Sequence, residues 1–181
     1  MPNGELLVGG SFLDAVGTPT SVMKWDGVAW QPVGSGLNGL VQALAVLPNG
    51  DIVAGGTLIG SPTNPTPVMR WDGANWTPVG VNITLPVYQL ALLPNGDLIA
   101  AGLALVPGGS VARWDGVDWV SLGIGGPTSS VMALCVASNG DLIAARSRNR
   151  DPRSGDGTAR PGHKSALISP GAQAADATST A

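Results

Sequence analysis

A six-residue pattern recurs three times and constrains the fold of this chain more than any other feature. It reads WDGVAW at 25–30, WDGANW at 71–76 and WDGVDW at 114–119, and the three copies contain all six tryptophans. A second pattern, PNG, stands at 2–4, 48–50 and 94–96, with SNG at 138–140, so successive copies are 46, 46 and 44 residues apart. A period of 20–50 residues is typical of solenoids, propellers and other repeat architectures. The fold of one unit therefore predicts the fold of most of the chain.

Each repeat unit predicts four short strands, which we call a, b, c and d. The 27 glycines and 15 prolines alternate with apolar runs such as VQALAVL and DIVAGG, a composition typical of short strands joined by turns. Strands joined by hairpins are antiparallel. In the second unit the predicted strands are a (41–47), b (51–57), c (67–71) and d (76–80), with PNG between a and b.

The two tryptophans of each pattern are predicted to face each other across the c–d hairpin, as Trp71 and Trp76 do over a four-residue turn. A tryptophan buries about 150–250 Å². Since the chain has one Phe and one Tyr, these indoles must supply much of the packing between sheets. This structural role is favoured over stacking on a sugar or a base, because the pair recurs in every unit.

The order of these motifs resembles the kelch-type β-propeller repeat. Glycines close strand b (VGG at 8–10, AGG at 54–56), an aromatic-Asp turn follows, and a second Trp stands five residues on. The WDGxxW variant is similar to repeats in large secreted bacterial proteins and fungal cortical polarity markers. The resemblance covers about residues 1–145 and departs at Ala144-Ala145-Arg146, where a glycine pair is expected. It implies four-stranded blades around an axis, a non-catalytic binding protein, and an extracellular or cell-surface location.

The predicted organisation is an all-β partial propeller over 1–145 and a separate tail over 146–181. The first segment holds thirteen predicted strands, about three blades, and begins and ends in mid-blade. The tail contains six of the nine Lys and Arg residues and the only His. It is read as a disordered extension or as an out-of-frame or fragment boundary. A basic nucleic-acid arm is ranked last, because Asp151 and Asp156 interrupt it and no aromatic residues are interleaved.

Composition gives no support for several other partners and locations. The net charge of −3 makes no electrostatic case for nucleic acid or an anionic membrane. We expect no transmembrane segment, since every apolar run is short, and no signal peptide in MPNGELLVGG. The sequence by itself therefore leaves the cellular compartment open.

Few residues are left for catalysis once the repeat positions are set aside. Of nine acidic residues in 1–145, all but Asp14 and Asp118 lie in repeated turns, and His163 is in the tail. We therefore predict no enzyme activity, no metal site and no cofactor. The basic residues Lys24, Arg70 and Arg113 precede a Trp in each unit and are expected to pair with neighbouring turn carboxylates or to lie along indole surface. Cys135 aligns with Ala45 and Ala91 and is expected to be a buried, inert thiol.

The predicted function is a non-catalytic repeat fragment that binds a protein or a glycan, with self-association through open blade edges. The alternatives are a structural fragment of a larger secreted propeller enzyme whose catalytic residues lie elsewhere, and a truncated reading frame without stable function. Recognition is predicted at the end of the blades where b–c loops and d–a links differ between units. The candidate contacts are Phe12, Asp14, Leu58, Ile59 and Asn64. For Phe12 and Leu58 the favoured alternative is packing between blades at the end of strand b.

Overall fold

The chain is all-β. The computed structural model describes residues 5–35, 37–59, 66–107, 109–123, 130–147 and 165–168, and this part contains fourteen strands and no helix. The first seven strands are β1 (Leu6–Leu13), β2 (Pro19–Trp25), β3 (Trp30–Pro32), β4 (Asn38–Val46), β5 (Ile52–Ile59), β6 (Val68–Trp71) and β7 (Trp76–Pro78). The remainder are β8 (Val87–Leu92), β9 (Leu98–Val106), β10 (Gly109–Trp114), β11 (Trp119–Ser121), β12 (Ser130–Val136), β13 (Leu142–Ser147) and β14 (Ser165–Ile168).

The strands form four antiparallel blades in chain order. Blade 1 contains β1–β3, blade 2 contains β4–β7, blade 3 contains β8–β11 and blade 4 contains β12–β14. A single bridge between Ser130 and Leu103 also joins β12 to β9. The predicted partial propeller with four-stranded blades is confirmed, since blades 2 and 3 are complete. Blade 1 has strands b, c and d.

The a–b turns are built as the PNG pattern predicts. In blade 2 the Leu47 amide donates to the Asp51 carbonyl at 2.8 Å, and the Gly50 amide donates to the Leu47 carbonyl at 2.9 Å. Gly50 has φ +91°, a left-handed conformation in which glycine avoids the steric cost of a side chain. The side-chain amide of Asn49 donates to the Asp51 carboxylate at 2.8 Å, and this side-chain hydrogen bond supports the turn in addition to the backbone bonds. The same bonds recur at 93–97 and 137–141.

The c–d turns are closed by the aspartate of WDGxxW. In blade 2, Asp72 Oδ1 accepts hydrogen bonds from the amides of Ala74 and Asn75, both at 2.8 Å. This short turn places Trp71 directly opposite Trp76, and the ring centroids lie 5.5 Å apart with the planes tilted by 44°. The pairs in blades 1 and 3 have the same centroid distance. Tilted aromatic pairs at this distance are favourable, so the predicted cross-hairpin pairs are confirmed.

The tryptophan pairs of blades 2 and 3 join each of these blades to the one before it. Trp119 of blade 3 is 2% exposed and packs in the cluster between blades 2 and 3, together with Val53 and Leu98. Its indole Nε1 donates to the carbonyl of Val79 in the preceding d–a link at 2.7 Å. Trp76 of blade 2 donates in the same way to Val33 at 2.9 Å. The indoles of blades 2 and 3 therefore hold each of these blades to the preceding one by burial and by one directed hydrogen bond, whereas the described junction between blades 3 and 4 is packed without a tryptophan.

A strand within the predicted tail completes part of blade 4. β14 pairs with β13 so that Ala166 lies opposite Ala144, the register that Met69 has opposite Ala54 in blade 2. β14 therefore occupies the position of a c strand, although its sequence SALI is not a repeat sequence. The rest of 148–181 lies outside the described residues, so the predicted disorder there, and the interpretations of the tail, stay predictions.

Candidate interaction surfaces

The two ends of the blades differ in what they can recognise. One end, the turn end, carries the a–b and c–d turns, which are nearly identical from blade to blade. The other, the loop end, carries the b–c loops and the d–a links, which differ in sequence. Because the blades form a rigid scaffold, side chains at either end are presented in fixed positions.

Charged residues at the turn end pair within their own blade. Arg70 Nε donates to Asp51 Oδ2 at 2.6 Å, and Arg113 lies 3.5 Å from the Asp97 carboxylate. Lys24 Nζ lies 3.1 Å from Glu5 Oε1. The predicted pairing of the three basic residues with turn carboxylates is confirmed. These pairs are partly exposed and contribute little to stability. Each of the three basic side chains already has a carboxylate partner, which leaves it less available to a charged ligand.

The c–d turn aspartates are held in the ionised state. Hydrogen bonds from the Ala29 and Val28 amides lower the pKa of Asp26, and those from Asn75 and Ala74 lower the pKa of Asp72. The Asp118 and Val117 amides likewise lower the pKa of Asp115. A carboxylate that accepts backbone hydrogen bonds favours its charged form. These groups are therefore poor proton donors at neutral pH, and their role is to shape the turns.

Two shallow grooves open at the turn end, each at a junction between neighbouring blades. The groove between blades 1 and 2 has a volume of about 400 Å³ and is lined by Lys24, Asp51 and the edge of Trp71. The groove between blades 2 and 3 has about 350 Å³, with Arg70, Asp97 and Trp114 at the matching positions. The grooves repeat the same chemistry, so they give one end of the molecule a periodic surface and no distinct site.

The loop end carries exposed apolar side chains that sequence reasoning missed. Val16 is 86% exposed and Val81 is 68% exposed. The exposed large apolar residues of this end are Leu13, Val16, Leu40, Val81 and Leu85. The three basic residues with described side chains all lie at the turn end instead. The sequence could have indicated this surface, because apolar residues occur in segments that vary between units. Polar turn residues alone would suffice to build such loops.

The predicted contact residues have separate positions in the structure. Phe12 is half-buried and lies over Gly10, where an added Cβ would come within 2.6 Å of the ring. Asp14 Oδ1 accepts from the Thr18 amide at 2.7 Å and the Val16 amide at 3.0 Å, so it folds the first b–c loop. The Thr18 bond is the largest cause of a lowered pKa at Asp14.

Leu58 offers no surface to a partner at the loop end. It is 3% exposed and packs in the cluster between blades 1 and 2, which is the packing alternative given for it above. Its strand β5 continues to Ile59, whose side chain lies outside the described residues, as does Asn64. Of the three candidates whose side chains the structure describes, Asp14 and Phe12 are half-buried at the loop end and Leu58 is buried.

The prediction of a buried thiol is wrong, because Cys135 is exposed. Its equivalent Ala45 packs against the cluster between blades 2 and 3. Cys135 lies on the side of blade 4 that faces away from blade 3, where no described residue covers it. The alignment with Ala45 and Ala91 therefore gave the position of Cys135 in the repeat but not its exposure, because no described blade packs on this side of blade 4.

The other chemistry-bearing groups are isolated. Asp118 is half-buried, and one carboxylate oxygen has no hydrogen-bond partner among the described residues. No group of three or more His, Cys, Asp or Glu side chains that could hold a metal ion occurs within the described part of the chain. A search of the same residues for a helix able to cross a membrane finds none.

The four blades define an all-β protein of the propeller type. No protein-family model matches the sequence, and no curated protein matches it either. Among solved structures the chain is similar to one titled "YCF48 bound to D1 peptide", with 18% identity and a TM-score of 0.45. That alignment covers 75% of this chain and 43% of the other, so this chain spans less than half of that protein's length. The resemblance to kelch-type WDGxxW repeats remains a prediction.

Proposed function

We propose that this chain is a non-catalytic interaction scaffold that binds a protein partner through the loop end of its blades. The observation that carries the proposal is that exposed apolar side chains of the loop end lie on segments that vary between units, whereas the exposed valines of the turn end, Val28 and Val117, recur at one position of the WDGxxW turn. At the turn end the carboxylates bind their own backbone or pair with a basic residue. At the loop end apolar side chains are exposed on segments that differ between units.

The exposed side chains favour a protein over a glycan as the partner. Val16, Val81 and Leu85 are aliphatic and would be covered favourably by apolar protein surface, at about 25 cal/mol per Å². Sugars are bound instead by exposed aromatic faces and polar groups, whereas the six tryptophans flank the c–d turns and so lie at the opposite end of the blades. The alternative role, as a structural part of a larger enzyme, stays a prediction.

Two double variants of matched exposure test the proposal. Val16→Ser with Val81→Ser alters the loop end, whereas Val28→Ser with Val117→Ser alters the turn end at positions that are 86% and 80% exposed. Each variant and the wild type would be probed with a displayed random 12-residue peptide library and with a glycan array. We expect enriched peptides whose binding weakens at least tenfold in the loop-end variant and is unchanged in the turn-end variant.

Three results would count against this assignment. Peptide binding that only the turn-end variant loses would move the site to the grooves between blades. Specific binding to glycans without peptide enrichment would favour the glycan alternative. Absence of any binding by a folded wild-type chain would remove the scaffold function.

A further inference from the structure

The first blade presents a face whose equivalent side chains are buried or half-buried in the described part of the later blades. Leu6 is 60% exposed, whereas Ile52, Leu98 and Leu142, its equivalents in blades 2, 3 and 4, are between 2% and 5% exposed. Trp30 is 42% exposed, whereas its equivalent Trp119 is 2% exposed. We call this surface the tryptophan face, and it consists of Leu6, Val8, Met23, Trp25 and Trp30.

The last blade presents the complementary face. Cys135 lies opposite Ile143 in the β12–β13 pair, and Ala133 lies opposite Ala145. Their equivalents in blade 2 are Ala45 and Val53 for the first pair, and Val53 is fully buried against blade 3. In blade 4 these side chains are exposed or half-buried. We call this surface the terminal face, and it consists of Ala133, Cys135, Ile143 and Ala145.

The interior of the chain shows how two such faces fit. Between blades 2 and 3, Val53 and Ala45 pack with Leu98 and Trp114 in one cluster. The terminal face places Ile143 and Cys135 in the positions of Val53 and Ala45. The tryptophan face places Leu6 and Trp25 in the positions of Leu98 and Trp114.

We propose that the tryptophan face of one copy of this chain packs on the terminal face of a second copy. This association is separate from the loop-end function, since neither face includes a loop-end residue. Both halves of the contact are present on each chain, and a heterologous contact of this kind closes into a ring when its rotation allows. Two copies that make the contact twice supply eight blades, which lies within the range of known propellers.

Sedimentation velocity across a wide concentration range tests the association on the full chain. The wild type is expected to sediment as a dimer of twice 18.1 kDa. Leu6→Glu places a charge on the exposed tryptophan face and should give a monomer with unchanged near-ultraviolet circular dichroism. Val28→Glu adds the same charge at an exposed turn outside both faces and should remain dimeric.

A mixing experiment distinguishes this contact from a symmetric one. Ile143→Glu damages the terminal face, so this variant alone should also lose the dimer. A mixture of Leu6→Glu with Ile143→Glu retains one intact junction and should recover heterodimer. In a contact of tryptophan face with tryptophan face, Ile143→Glu would stay dimeric.

A cross-link provides a measurement that does not depend on affinity. Leu6→Cys should join Cys135 of another copy through a short bis-maleimide, giving a covalent dimer that is absent when Cys135 is changed to Ala. A wild-type monomer at every concentration would overturn the proposal. A dimer that survives Leu6→Glu, or one cross-linked only between two Cys135 thiols, would overturn it equally.

Discussion

Gly80 gives the sharpest test of how the blades are held together. It lies in the d–a link between blades 2 and 3 with φ +72°, and a Cβ built there would meet Trp114 at 2.8 Å and Trp119 at 2.9 Å. Trp119 cannot easily move, because it is 2% exposed and its Nε1 is bound to Val79. Gly80→Ala should therefore combine about 1–2 kcal/mol of backbone strain with about 1–3 kcal/mol of overpacking.

Gly73→Ala is the matched control for this substitution. Gly73 has φ +100°, which is at least as unfavourable for alanine, but nothing lies within 4 Å of the position that an alanine Cβ would take. We expect urea unfolding, followed by tryptophan fluorescence, to show Gly80→Ala about 1–3 kcal/mol less stable than Gly73→Ala. Equal losses of unfolding free energy in the two variants would show that contact between indole and link does not hold the blades.

Three other perturbations probe the packing, the turns and the last blade. Trp119→Ala should lower the unfolding free energy by about 3–5 kcal/mol in the same assay, because a fully buried ring is removed; a loss below about 1 kcal/mol would contradict its role in packing. The folded-state pKa values of Asp26, Asp72 and Asp115 are depressed. The stability that these carboxylates contribute is therefore complete above the unfolded pKa of 3.8 and is lost as the pH falls through the lower folded pKa values. The thermal midpoint measured against pH should show this loss, and replacing all three residues with Asn should flatten the plot of midpoint against pH below about pH 4. Truncation after Ser147 removes β14 but none of the strands of blades 1–3, so circular dichroism should still show a folded β protein, and an unfolded product would refute the independence of these blades.

The repeat predicted the geometry of the turns better than the exposure of individual side chains. Gly50 and Asp72 make their turn hydrogen bonds with residues less than four positions away in the sequence. Their conformations therefore follow from local chemistry. Trp30 and Trp119 have equivalent sequence contexts, but their exposures differ because one has a neighbouring blade and the other does not. Cys135 was misplaced for the same reason. The burial of a repeated residue depends on how many blades pack against its own blade, and a short sequence pattern does not reveal how many there are.

The candidate site was harder to predict than the fold. Asp14 was named as a contact because it lies in a variable b–c loop, and its carboxylate accepts hydrogen bonds from the backbone of that same loop. Leu58 was named as an apolar residue near a variable loop, with packing between blades as the favoured alternative, and its burial inside the junction agrees with that alternative. The sequence of β14 shows no repeat pattern that would predict a strand, because an edge strand of four residues needs only backbone pairing.

The indole-to-carbonyl bonds that join blades 2 and 3 to the preceding blades belong to junctions that also determine how the molecule opens. Each junction is made between neighbours, so the free energy of the array is approximately a sum of blade and junction contributions. Detaching an end blade breaks one junction, whereas opening blade 2 or 3 breaks two. Backbone amides of β5 and β9 should therefore exchange with solvent more slowly than those of β1 and β13 in an open chain. In a closed ring every blade has two junctions, and the difference in exchange rate between these strands should disappear.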